Sequence, residues 1–274
     1  MDTAQNSNIK NAGRRLTIRV SRYSLSFSVL NPKEEGSGVT FEPYNVNAGI
    51  SMAANLREAF KTASLPAMGF KRAMLMVDSP VLMIPVDLFN EKEIDVLYSH
   101  SFPNHEADKV MYNVLPELSA VAVYAVNKDL KLVVDDHFGD VVVNSLMTPV
   151  WKYLHQRSFI GTRNKLYGYF HDKKLEVFGY VQNRFKFCNT FEVDSAHDAL
   201  YFLLYVWKQL ALKPEYDEMH IVGDIPEREW VLEELRKFLL RAYVINPVGD
   251  FNRAPATLVK DMPYDLMVYY VKGR

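Results

Sequence analysis

The sequence predicts an α/β fold of two lobes, each with a mixed sheet opening in a three-stranded meander, and a small α+β subdomain inserted in the first. Three observations carry this reading. From Leu16 the chain runs strand, strand, strand, helix; from Leu166 the same order returns; and the first half holds more alternating strands and helices than one repeat needs. The pattern restarts near "QRSFIGTRN", Gln156 to Asn164. The expected organisation is a flexible N-terminus over residues 1–14, a first lobe over 15–157 with the insert at about 70–134, and a second lobe over 158–274.

The elements follow in order. "RRLTIRVSRYSLSFSVLNP" alternates apolar and polar residues on both sides of "SRYS", which predicts a hairpin with Leu16, Ile18, Val20, Leu25, Phe27 and Val29 facing inward. "EEGSG" reads as a turn and "VTFEPYNV" as a third strand. In "SMAANLREAFKTA", Ala53, Leu56 and Phe60 share one helical face. "RAMLMVDSPVLMIPVDLF" is two apolar strands split at Asp78-Ser79-Pro80, and "EKEIDVLYSH" a short helix. "LSAVAVYAV" is a buried strand. "NKDLKLVVDDHF" is a helix capped by Asn127, with Gly139 in a left-handed conformation after it. "DVVVNSL" is another strand, and "TPVWKYLHQ" a helix with Pro149 in its first turn.

In the second half, "KLYGYFHDKKLEVFGYVQNRFKFCNTFEV" gives three antiparallel strands with turns at "HDKK" and "QNR". Ser195 caps the apolar helix of "SAHDALYFLLYVWKQLAL". "YDEMHIVGDIPEREWVLEELRKFL" is strand, turn and helix, with Val231, Leu235, Phe238 and Leu239 on one face. "DLMVYYV" closes the chain as a strand.

Composition narrows the classes of function. The 274 residues hold 32 Lys+Arg against 33 Asp+Glu, a net charge of −1, so no global field draws in nucleic acid. A single cysteine, Cys188, forms neither an internal disulfide nor a zinc cluster, which fits a reducing compartment. "MDTAQNSNIKNAG" lacks the basic and apolar regions of a signal peptide, and no apolar run approaches about 18 residues. The expected location is the cytoplasm, with no transmembrane segment.

Strong catalytic motifs are missing: there is no G-x-x-x-x-G-K-[ST], G-x-G-x-x-G or G-x-S-x-G. Asp135, Asp136, His137 and Asp140 cluster in sequence, but neighbours on a helix point apart, so no metal site is expected. His100 and His105 lie in a loop, and Cys188 among phenylalanines reads as a buried, inert thiol. The one stretch shaped like a ligand loop is "HIVGDIPEREWVLEELRKFL", an apolar strand running through Gly223-Asp224 into a helix. Asp224 and Glu227 have the spacing of a capping box and Pro226 suits a first helical turn, so the carboxylate would supply the anion a helix N-terminus otherwise offers to a phosphate.

These two meander-and-helix halves resemble the actin-like ATPase superfamily of actin, Hsp70 chaperones and sugar kinases, whose lobes are ribonuclease H-like. The insert sits where pilus-assembly and cell-division members carry a small subdomain. More narrowly, the N-terminal hairpin together with "IVGDIPEREWVLEELRKFL" resembles a bacterial family of unknown function. The resemblance implies ATP or ADP with Mg²⁺ held by Asp-x-Gly turns in both first hairpins and by a two-glycine nucleoside loop. In this chain the first pair falls at Arg19 and Ser21, and the second at Tyr169 and His171 beside Asp172, Lys173 and Lys174; the loop keeps Gly223 but has Asp224 next. Arg cannot ligate Mg²⁺. The leading expectation is therefore a non-catalytic actin-like protein with no cofactor, acting through a protein partner, self-association included. The alternative is a nucleotide switch using Arg19, Ser21, Lys174 and Gly223.

Overall fold

The computed structural model describes residues 13–31 and 38–273. Most of the expected flexible N-terminus, and the "EEGSG" turn apart from Gly38, lie outside the described residues. The chain forms two compact units: residues 1–115, 120–148 and 258–260 in one, and residues 116–119, 149–257 and 261–274 in the other.

The first unit holds a five-stranded sheet of order β3-β2-β1-β4-β8. β1 (Arg15–Val20), β2 (Leu25–Leu30) and β3 (Val39–Tyr44) are the antiparallel meander; β4 (Arg72–Val77) and β8 (Asp140–Ser145) extend it in parallel beside β1. The predicted inward set Leu16, Ile18, Val20, Leu25, Phe27 and Val29 is buried in one cluster. Helices α1 (Met52–Thr62) and α3 (Lys128–His137) cover it through Leu56, Ala59, Leu130, Val133 and Val134. Side-chain caps start both: Ser51 accepts from the Ala54 N–H and Asn127 from the Leu130 N–H.

The inserted part is a second, three-stranded sheet of order β5-β7-β6, with β5 (Val81–Pro85), β6 (Asp108–Leu115) and β7 (Ala120–Asn127). Helix α2 (Ile94–Ser101) packs Ile94 and Tyr98 onto Val121 and Val123. Since β4 and α3 belong to the main sheet and its cover, this separate sheet spans 81–127. Strand β6 was not foreseen, because "DKVMYNVL" mixes polar residues into both faces. Gly139 is not left-handed: Phe138 ends α3 in an extended conformation and the Gly139 N–H donates to Lys71 O, leading straight into β8.

The second unit repeats the strand order, β11-β10-β9-β12-β13. β9 (Lys165–His171), β10 (Lys174–Val181) and β11 (Arg184–Glu192) are the meander, and β12 (Glu218–Gly223) and β13 (Ala242–Val244) are parallel to β9. Both hairpins turn on two left-handed residues, Asp172-Lys173 and Gln182-Asn183, the twist-matched two-residue turn. α4 (Thr148–Ser158), α5 (Ala196–Gln209) and α6 (Arg228–Phe238) follow the predicted helical patterns. On α6, Val231 and Leu235 are buried, as is Leu239 just beyond it, whereas Phe238 faces solvent.

The last element overturns the sequence reading. Residues Tyr264–Lys272 form a helix, α8, after the short α7 (Pro247–Asp250), where "DLMVYYV" had read as a strand. Leu266, Val268 and Tyr270 are buried with Tyr264 and Asp265. An apolar set two residues apart also fits a helix buried on a wide face, and periodicity alone does not separate the two in so short a run.

Candidate functional site

The first hairpin of the first unit is closed by its own side chains. Ser21 N–H donates to Ser24 O at 2.9 Å. The Ser21 hydroxyl accepts the Ser24 N–H at 3.0 Å and the Tyr23 N–H at 3.3 Å, and lies 2.8 Å from the Ser24 hydroxyl. Arg19, 2% exposed, donates from Nη1 to Ser24 Oγ at 2.8 Å. The two predicted ligands thus meet at Ser24, where the backbone N–H groups at the tip are taken by a hydroxyl in an ST-turn.

In the second unit, Lys174 and the segment after Gly223 come together. The strand pairing sets Gly223 opposite Phe170 in parallel register, and the Asp224 N–H extends the ladder to Phe170 O at 2.9 Å. A concavity of about 460 Å³ forms there, walled by His171, the Asp172–Lys174 hairpin tip, Asp194, Asp224 and Pro226. It lies at the carboxyl ends of β9 and β12, the end where parallel α/β sheets place ligands. Three aspartates and two lysines surround it, so it carries no positive excess for a polyphosphate. The His171 ring stacks on Tyr169 at 4.7 Å, with Nδ1 3.2 Å from Asp172 Oδ2. The Tyr169 hydroxyl donates to buried Asp265 at 2.6 Å. Asp194 and Asp265 were missed as neighbours of this region: the first falls between the predicted third strand and the Ser195 cap, and the second was assigned to a strand.

Gly223 has a structural reason of its own. Its φ is +98°, and a Cβ there would lie 2.0 Å from Phe170 O. The helix after it does not begin as predicted. Its N-cap is Glu227, left-handed at φ 41° and without a side-chain cap bond, so the Asp224–Glu227 capping box does not form and Pro226 precedes the helix. Gly223 and Glu227 spread the bend over five residues, placing Asp224 at the concavity rather than over the first helical turn.

The other candidates resolve into structural roles. Asp140 pairs with Arg72 at 2.6 Å and Arg15 at 2.8 Å, and these guanidiniums hold its carboxyl below the usual range. Asp135 pairs with Lys131 one turn earlier. His137, though exposed, stacks on Phe60 at 4.2 Å, and the partial desolvation, with Lys71 nearby, lowers its pKa. His105 bonds Asp108 at 2.6 Å beside Tyr98. Cys188 is half-buried on β11 rather than fully buried, and desolvation of its thiol, with Glu176 adding to the effect, raises its pKa and disfavours the thiolate at neutral pH.

Comparisons with known proteins place this geometry. A crystal structure from Bacteroides thetaiotaomicron, described as a protein with actin-like ATPase fold and unknown function, superposes with a TM-score of 0.80 at 27% identity. The match covers 92% of this chain and 98% of that one. The PilM-PilN type IV pilus biogenesis complex contains a chain that matches with a TM-score of 0.53 at 11% identity, covering 86% and 89% respectively. No curated protein matches the sequence. The fold is therefore the actin-like ATPase fold, and no helix among the described residues is long and apolar enough to cross a membrane. The profile described as "Protein of unknown function (DUF3822)" matches residues 3–241, and the chain belongs to that family.

Proposed function

We propose that this protein acts by binding a partner protein and does not turn over nucleotide. The observation that carries the reading is the first hairpin, whose tip N–H groups are held by the Ser21 hydroxyl where a phosphate would need them. Neither Arg19 nor Ser21 supplies the carboxylate that a phosphate-bound Mg²⁺ takes from a protein. The same fold occurs in the PilM-PilN complex, an instance of such a chain assembled with another protein. The second reading, a nucleotide switch, draws support from Lys174 and the Asp224–Pro226 segment sharing one concavity.

Thermal unfolding with ATP or ADP, with and without Mg²⁺, separates the two. A ligand at a hundred times its Kd stabilises by about 2.7 kcal/mol. The expected outcome is no nucleotide-dependent shift. A Mg²⁺-dependent shift that Lys174→Glu removes would overturn the proposal. Gly223→Trp is unsuitable as the control, because any side chain there meets the Phe170 carbonyl.

A further inference from the structure

The opposite end of the second sheet has a different chemistry. β9, β12 and β13 are neighbouring parallel strands, so the segments that enter them emerge side by side. Lys165 Nζ ties the first segment down by donating to Ser158 O and Ile160 O, the Asn164 N–H donates to Asp217, and the Leu240 N–H donates to Pro214 O. On this scaffold Phe159, Ile160, Tyr216, Phe238 and Leu240 all face solvent, with Ile160 73% and Leu240 69% exposed. Single exposed apolar residues are ordinary; five on adjoining segments at one end of a sheet form a patch.

Beside the patch Lys213, Arg236, Lys237 and Arg241 stand against Glu215 and Glu234, a small positive excess. Arg241 donates to Glu215 O and Arg236 to Ala242 O, carbonyls that hold each guanidinium without neutralising it. Lys213 and Lys237 are exposed on the same two segments, Lys237 with Glu234 as an ion-pair partner. Arg163 lies over the Tyr216 ring and pairs with Glu218.

We infer that this end of the second unit docks on an anionic lipid surface, with Ile160 and Leu240 entering the interface and Lys213, Arg236, Lys237 and Arg241 facing the headgroups. Projecting apolar tips flanked by cations suit a flat, soft, negative surface, and a tyrosine belongs at its boundary. The polar concavity at the far ends of β9 and β12 would then lie about 20 Å from the lipid, the length of one strand. The inference is independent of whether nucleotide binds.

Co-sedimentation of the full chain with phosphatidylcholine vesicles, with or without phosphatidylglycerol, tests it. The expected result is pelleting with the anionic vesicles only, weakened by salt. Lys213→Glu/Lys237→Glu should lose about fivefold or more per cation, and Ile160→Asp/Leu240→Asp about tenfold or more, with unchanged melting temperatures. Failure to pellet with anionic vesicles, or equal pelleting by both variants, would overturn it. So would a lipid-free dimer that Ile160→Asp/Leu240→Asp dissociates, since the patch would then be a contact between copies.

Discussion

A methyl group at position 223 would sit 2.0 Å from the Phe170 carbonyl oxygen, on a residue with φ of +98°. Both facts make glycine necessary for the β9–β12 pairing. Gly223→Ala should therefore destabilise the protein by at least about 2 kcal/mol, read as a lowered urea midpoint with or without nucleotide; a variant as stable as the parent would refute this. The sequence singled out this glycine as the one ligand-loop candidate, and the adjacent strand gives it a structural reason of its own. A glycine after an apolar strand signals close approach of backbone, and one-dimensional pattern does not say whether the approaching group is a ligand or, as here, the adjacent strand. Ser21 was legible as a departure from Asp-x-Gly; that its hydroxyl would take the tip N–H groups depends on turn geometry that spacing does not encode.

The start of α6 and the start of α3 make a controlled comparison of helices. Asn127 accepts the Leu130 N–H at 3.1 Å, so Asn127→Ala should cost about 1 kcal/mol. Glu227 caps α6 with no side-chain bond and holds a left-handed backbone, so Glu227→Gly should instead stabilise, by about 0.5 kcal/mol. Chemical denaturation of the two variants reads both signs, and a destabilising Glu227→Gly would show that its side chain matters. The meanders were legible because apolar and polar residues alternate along β1 and β2 and turn signals separate β9, β10 and β11, although both faces of β1, β2, β9 and β10 are buried. α8 was not, because "DLMVYYV" is apolar at helical and strand spacing alike, and β6 was not, because neither of its faces is cleanly apolar. The composition of each segment allowed two answers, and packing chose between them.

Across the whole molecule, two histidines with lowered pKa, His220 buried and His137 exposed, set an acid limit on stability. Burial lowers the pKa of His220 in the second unit, where it is sandwiched between the rings of Tyr167 and Tyr243 and bonded to Glu218, and contact with Phe60 and Phe138 partly desolvates the exposed His137 in the first. A group whose folded pKa lies below its unfolded value takes up its proton more readily when unfolded. Its contribution is intact above about pH 6.5 and is lost as the pH falls below that. Glu218, whose pKa is lowered by His220, Lys165 and Arg163 against the opposing effect of burial, loses its contribution only in the range of unfolded carboxylates, further into acid. Urea midpoints should therefore drop between about pH 7 and pH 5, and His137→Phe/His220→Phe should flatten that slope; an unchanged slope would assign the titration elsewhere.

The two sheets share one strand order, yet they close over very different lengths of chain. To set β8 beside β4 the chain must bring together ends separated by residues 78–139, whereas β13 reaches β12 across residues 224–241. For a flexible connection this difference in loop length costs about 1 kcal/mol of extra closure entropy. The three-stranded sheet within the longer connection lowers that cost once it has formed, because an ordered insert spans its ends at a fixed separation. The inserted sheet thus serves the first unit as an internal brace, shortening in effect the excursion that sets its edge strand β8 beside β4.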